Sequence, residues 1–201
     1  GQQPAGRQVV EAAEQTLLSL GMEEIRVAQT DSVCTIAYED NIYRGTYRGL
    51  AAVIEALRSL PETEQATAYE LVVVDDRIPR LLLTLPRQTA ALEVSYDTDE
   101  AVRRLKGKER RNKMAGRIAV VLSPELFLQN SWLDKLYGVA VNFSPAIRMD
   151  LWKGAVLTGQ VVLPVYTNMT DFRKYIRPGV ITLRQEFRLP GGVLGRLTAG
   201  N

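Results

Sequence analysis

Two adjacent acids and a dense basic run are the residues of this chain best equipped for chemistry. Asp75 and Asp76 stand side by side. Neighbouring carboxylates can trade protons with a substrate or hold a cation between them. The same dipeptide also suits a hairpin tip, because aspartate bonds nearby backbone and tolerates left-handed conformations, and the turn is the simpler account. Asp97 and Asp99 form a second acidic spot, read as acids at a helix start, beside the positive end of its dipole. The basic run comprises Arg103, Arg104, Lys106, Lys108, Arg110, Arg111, Lys113 and Arg117, with Glu109 as the one acid among them. The chain's net charge is only +2, so everything outside this run is acidic overall. Arg103, Arg104, Lys106, Lys108, Arg110, Arg111 and Lys113 are candidates to meet an anionic lipid surface or an acidic polysaccharide. A solvated connector explains the same charge. No nucleic-acid partner is expected, since neither a recognised nucleic-acid fold nor an aromatic stacking platform accompanies the run.

Other chemistries are poorly supplied. Histidine is absent, which removes the commonest general base and most zinc sites. Cys34 is the single cysteine, so no intrachain disulfide can form. It reads as a small apolar residue in a strand. The glycines at 191, 192 and 195 lack the Lys-Ser or Lys-Thr of a phosphate loop. No catalytic residue, metal or cofactor is expected, and the chain reads as non-enzymatic.

The elements that would position these residues fall into two styles. Hydrophobic residues make up 46% and charged residues 24%, so a folded protein is the default. Residues 4–20 carry Val9, Val10, Ala13, Leu17 and Leu20 at helical spacing, and Gly21 supplies the stop. A hairpin follows, with Ile25 and Val27 in one strand, 33–38 in the next, and a turn over 30–32. A second helix over 46–60 buries Leu50, Val53, Ile54 and Leu57 and ends at Pro61. Strands are predicted over 70–74, over 81–85 between Pro79 and Pro86, and over 91–96, with Leu92, Val94 and Tyr96 on one face. A short helix is predicted over 97–106.

From Arg117 the period becomes two. Val139, Val141, Phe143, Pro145, Ile147, Met149 and Leu151 share one face. Ala140, Asn142, Ser144, Ala146, Arg148 and Asp150 share the other. Similar runs cover 117–129, 155–165, 180–189 and 193–201, about five strands in all. Pro145 and Pro164 fit an edge or a bulge, not an uninterrupted ladder. The fold class is therefore α+β: an α+β module over 4–106, a basic connector over 107–116, and an antiparallel β-meander over 117–201, patterned like part of a β-barrel. Runs of about ten alternating residues suit a membrane-crossing strand. Trp132, Tyr137, Trp152 and Tyr166 are candidate membrane-interface aromatics, with Phe172 and Tyr175 near other strand ends. A soluble sheet with one buried face has the same pattern.

Two stretches resemble a known family. The first contains Gly21-Met22-Glu23-Glu24-Ile25-Arg26-Val27, then Ala37-Tyr38-Glu39-Asp40-Asn41-Ile42-Tyr43-Arg44, the helix carrying Leu50 to Leu57, and residues 71–85. The second contains Asn142-Phe143-Ser144-Pro145, Leu151-Trp152-Lys153-Gly154, Thr158-Gly159-Gln160-Val161, Pro164-Val165-Tyr166-Thr167-Asn168 and Arg177-Pro178-Gly179-Val180. Together they resemble the N-terminal modules and opening barrel-like strands of the YjbH-like exopolysaccharide-associated outer-membrane proteins, whose members are longer. The resemblance carries no catalytic residue. It implies an envelope location, in the outer membrane or periplasm after loss of a signal peptide. It also implies envelope or polysaccharide-export proteins as partners, with polysaccharide or anionic lipid as ligands. Oligomers through β-edges are a further expectation. The alternative is a soluble periplasmic binding or scaffold module with no membrane insertion.

Overall fold

The structure is a computed structural model describing residues 5–30, 32–43, 45–87, 89, 91–114, 116–129, 137–168, 179–189 and 194–200. It divides into two compact units: Gly1–Met114 with Phe187–Gly195, and Ala115–Glu186 with Arg196–Asn201. Both are built largely from β-strands, helices occur only in the first among the described residues, and the class is α+β.

In the first unit the order is α1 (Ala5–Ser19), β1 (Glu23–Thr30), β2 (Val33–Glu39), α2 (Thr46–Arg58), β3 (Ala68–Asp75), β4 (Ile78–Pro86), β5 (Glu93–Ser95) and α3 (Asp99–Arg104). The strands form one sheet in the order β1-β2-β3-β4-β5. The β2–β3 pair is parallel, because α2 carries the chain back across the sheet; the other pairs are antiparallel. Alternation along β3 sends Tyr69, Leu71 and Val73 to a core with Val9, Ala13 and Leu17 of α1 and Val53 and Leu57 of α2. It sends Val72 and Val74 to the opposite face, against Ala101 and Leu105. Apolar side chains thus leave water on both faces, and a side chain such as Leu71 contributes about 1.5–3 kcal/mol by burial.

Local signals explain the helix ends. The Gly21 N–H reaches the Leu18 carbonyl at 3.0 Å and the Met22 N–H the Leu17 carbonyl at 3.0 Å, with Gly21 at φ 76°. That is a left-handed glycine closure of α1. A side chain on Gly21 would also collide with Ile42. Around α3, Asp97 Oδ1 accepts the Asp99 N–H at 3.0 Å, in keeping with its place as a helix-start acid.

Two strand expectations in this unit need correction. Pro79 does not precede β4 but lies inside it, opposite Val74, where the β3–β4 register shifts. A bulge tolerates a residue with no N–H. The strand expected over 91–96 is only β5, and Leu92, Val94 and Tyr96 are exposed. Their alternation is present, but among the described residues no layer covers that face of the sheet edge.

The second sheet is β6 (Ile118–Gln129), β7 (Gly138–Trp152), β8 (Ala155–Val161), β9 (Leu163–Thr167), β10 (Gly179–Arg188) and β11 (Leu194–Gly200), of which residues 187–188 and 194–195 fall in the first unit and the rest in the second. The sheet order is β11-β10-β8-β7-β6, with β9 also on β7. The single strand expected over 155–165 is thus two pieces. β8 pairs with β7 from Trp152 to Ala146, and β9 takes over from Phe143 to Ala140. The break falls at Ser144 and Pro145, where proline offers no N–H to a second neighbour. β7 still keeps unbroken register with β6 on its other side, from Ile118↔Met149 to Gln129↔Gly138. Lys153 and Gly154 form the two-residue β7–β8 turn, with Gly154 at φ 75°.

Candidate functional site

The residue pairs across the second sheet assemble its strands into rows. One row is Ile118, Met149, Leu157 and Leu183; the next is Val120, Ile147, Gly159 and Ile181. Leu122 faces Pro145, Phe143 faces both Pro124 and Leu163, and Val141 faces both Leu126 and Tyr166. These rows are apolar, with Gln185 beside Ala155 as a polar residue at the end of the same face. That is also the face left open: Leu122 is 63% exposed, Leu126 65%, Ile147 52% and Ile181 64%.

The opposite face has the reverse character. Asn142, Ser144, Asp150 and Glu186 are buried, as is the small Ala140. Gln160 Nε2 donates to Glu125 Oε1 at 3.3 Å. Arg148 meets Asp150 at 3.4 Å, and Glu186 takes Arg184 at 3.8 Å and Arg196 at 2.6 Å. Among the described residues, the Asn142 amide and the Ser144 hydroxyl have no hydrogen-bond partner. Val121 and Phe127 on β6, Val156 on β8 and Val180 on β10 are apolar residues on this same side. A water-soluble sheet hides its apolar face. Here Asn142, Ser144, Asp150 and Glu186 are buried while the apolar rows carry the exposed Leu122, Leu126, Ile147 and Ile181.

The rim residues bracket the apolar band. Tyr137 is exposed at one end of β7, where Asn168 joins β9 to β7 through the Val139 N–H and the Tyr137 carbonyl. Tyr166 is exposed beside Val141 toward the same end. Trp152 is exposed at the other end, its indole N–H bonded to Gln185 Oε1 at 2.8 Å. Trp132, Phe172 and Tyr175 lie outside the described residues.

The basic run belongs mainly to the first unit. Leu105 and Met114 are buried, and the backbone of Arg111 bridges that of Ile25. Asn112 donates to the Met22 carbonyl at 2.8 Å, and Glu24 accepts the Met114 N–H at 2.8 Å. The run is therefore laid along the start of β1. Its charges divide into two groups. Arg104 pairs with Glu70 and Glu100, which hold its guanidinium above its usual range. Arg110 meets Glu24 at 3.4 Å, and Arg111 meets Glu109 at 3.5 Å and Glu14 at 3.8 Å. Arg103, Lys106, Lys108 and Lys113 stand exposed.

The Asp75-Asp76 pair sits at the β3–β4 tip. Asp76 and Arg77 have φ 48° and 63°, the two left-handed residues of a tight hairpin turn. Glu39, at the end of β2, accepts the Asp76 N–H at 3.0 Å and the Arg77 N–H at 2.9 Å. Its carboxyl is pushed upward by burial, against the opposing pull of these bonds and that of Asn41. Glu39, Asp75 and Asp76 bring their carboxylates close enough for a cation. Glu39 is already committed to the turn amides, however, and Asp75 pairs with Arg80 at 3.1 Å. The trio is a turn brace. Sequence reasoning missed Glu39; the available signal was a carboxylate ending an otherwise apolar strand.

A cavity of about 470 Å³ lies between Arg58, Gln65, Tyr69 and Arg87. Arg87 is paired there with Glu62 at 3.0 Å. Cys34 is buried, and burial pushes its thiol up to about 12, so it is held as an inert thiol. Comparison with known proteins finds no matching family model, curated protein or solved structure.

Proposed function

We propose that this chain is a non-enzymatic cell-envelope protein whose second sheet is a segment of an outer-membrane β-barrel. In this reading the first unit is a water-soluble docking module, and the whole serves exopolysaccharide assembly or export. The observation that supports the membrane part is the sheet's burial: apolar rows with exposed Leu122, Leu126, Ile147 and Ile181 on one face, and buried Asn142, Ser144, Asp150 and Glu186 on the other. Lipid is the solvent that such a face requires. The dimensions agree. From Val139 to Leu151 the outer face of β7 runs about 40 Å, which at the usual barrel tilt spans about 30 Å, the thickness of a hydrocarbon core. Tyr137, Tyr166 and Trp152 stand at the ends of that band, where aromatic rings favour the interface. The polysaccharide assignment is supported by the family resemblance of the turn and strand motifs. Partners are then envelope or export proteins, with anionic lipid or polysaccharide meeting Arg103, Lys106, Lys108 and Lys113.

The test uses residues 1–201 with an environment-sensitive fluorophore on Leu122→Cys or, separately, Ser123→Cys; native Cys34 is buried. The protein is refolded with phosphatidylcholine–phosphatidylglycerol vesicles. The Leu122 probe is expected to shift to the blue and be quenched by lipid-borne nitroxide, and the Ser123 probe to escape quenching. A monodisperse monomer in detergent-free buffer, ignoring vesicles and with a hydrated Leu122 probe, would replace this reading with the soluble periplasmic scaffold.

A further inference from the structure

Arg26 is a cation in an apolar strand. Its neighbours Ile25 and Val27 enter the core between the first sheet and α1 and α2. Arg26 lies instead opposite Ala37, on the face where Ala28 and Ala37 meet Ala101 and Leu105. It is half-buried, and its Nε is enclosed without an acceptor. A cation so placed is ordinarily matched by an acid. The carboxylate that acts on it, Glu24, makes its ion pair with Arg110 instead, at 3.4 Å.

A second arginine stands across from it. The backbones of Ile25 and Arg111 exchange both hydrogen bonds, at 3.0 and 2.9 Å, in an antiparallel bridge. One residue on along β1 and one back along the other segment, that register sets Arg26 opposite Arg110. Like charges opposed in this way repel. Burial first, and Arg110 second, push the Arg26 guanidinium below its usual range, and Glu24 offsets them only in part.

The backbone is bent to hold this arrangement. Glu24 and Asn112 have φ 52° and 50°, and the Glu24 N–H donates to the Asn112 carbonyl at 3.0 Å. The β1–β2 register shifts between Glu23 and Arg26. Side chains other than glycine rarely adopt that conformation, and bulges re-aim the side chains beside them. Here one Glu24 oxygen accepts the Met114 N–H at 2.8 Å and the other meets Arg110. Two guanidiniums therefore share one carboxylate, which leaves one positive charge over.

We infer that Arg26 and Arg110 form an anion site beside the bridge at the start of β1, and that it takes a phosphate monoester between the two guanidiniums. Planar guanidinium forks match phosphate oxygens in pairs. The exposed Lys108 and Lys113 flank Arg110 in the chain, and their field favours a dianion over a singly charged carboxylate. A lipid headgroup and a soluble phosphate compound both supply that group. The site does not depend on whether the second sheet meets lipid.

The test follows the arginine Nε–H resonances of full-length 1–201 by NMR, at fixed ionic strength, during titration with inorganic phosphate or acetate. The Arg26 resonance is the one lost in Arg26→Gln. It is expected to shift saturably with phosphate, and acetate to bind about tenfold more weakly or worse. Arg26→Gln and, separately, Arg110→Gln should each weaken phosphate binding about tenfold or more. Lys113→Gln should weaken it by no more than about threefold. Arg110 is partly exposed, so its variant tests the site even where Arg26→Gln fails to fold. Dihexanoyl phosphatidic acid, used below its micelle concentration, separates the two sources. Binding about tenfold tighter than phosphate, and lost in Arg110→Gln, supports a lipid headgroup, and equal binding supports a soluble phosphate compound. Three results would overturn the site: no saturable Arg26 shift with either phosphate probe, acetate binding as tightly as phosphate, or Lys113→Gln costing as much as Arg110→Gln.

Discussion

The two sheets use the same alternation for opposite ends. In the first unit, residues such as Leu71 and Ile36 face helices and are fully buried, while the polar residues at its strand ends brace turns. In the second, the apolar positions are the open ones and Asn142, Ser144 and Glu186 are enclosed. Alternation fixes which residues share a face; the environment decides which face is inside. Helices cover the first sheet, and among the described residues none covers the apolar rows of the second.

The largest effect that would sharpen this contrast is expected from Leu71→Ala. It should lower the denaturant stability of the first unit by about 2–5 kcal/mol, the cost of a cavity in a packed core. Leu122→Ala should change stability in water by no more than about 0.5 kcal/mol, as expected of an exposed position. Equal losses at both sites would break the comparison. Ile147→Arg comes next: folding into bilayers should weaken by about 2–4 kcal/mol, with little change in detergent-free buffer. A vesicle-folding titration measures it, and an unchanged midpoint would remove lipid from the account.

A smaller effect should come from Glu39. Its folded carboxyl sits above the unfolded value because it is buried. The native state therefore holds more proton than the unfolded state between the two values, so stability is greatest below that window and falls as pH rises through it. Glu39→Gln should flatten this slope, and also loosen the turn by about 1 kcal/mol as one amide loses its acceptor. Unfolding curves from pH 4 to 8 read both effects. The smallest expected signal is at Cys34: thiol reagents should leave native protein unlabelled and modify it only after denaturation.

Much of the first unit was legible because its signals are local. The α1 stop at Gly21, the stripe of α2 and the turn at Asp76-Arg77 each follow from a few neighbouring residues. The parallel β2–β3 pairing was not, because it joins segments separated by a helix and carries no turn signature. Neither was the brace by Glu39, which depends on that pairing. In the second unit the strands and the disruption at Pro145 could be read from the chain, but the outcome for Asn142 and Ser144 could not. Their side-chain pattern is identical whether lipid, a helix layer or water meets the other face. The basic run shows the same limit. Its charge was plain, but the docking of Arg111 and Asn112 onto β1 needs the fold.

The Glu39 brace also bears on where this chain will accept foreign sequence. A hairpin tip is ordinarily the first place to graft an epitope or open a circular permutation. At residues 75–78 that expectation reverses, because one added residue would carry the Asp76 and Arg77 amides away from a carboxylate anchored in a different strand. The Lys153-Gly154 tip is the better graft site, and a tag placed there would also report which side of a membrane the Trp152 rim occupies.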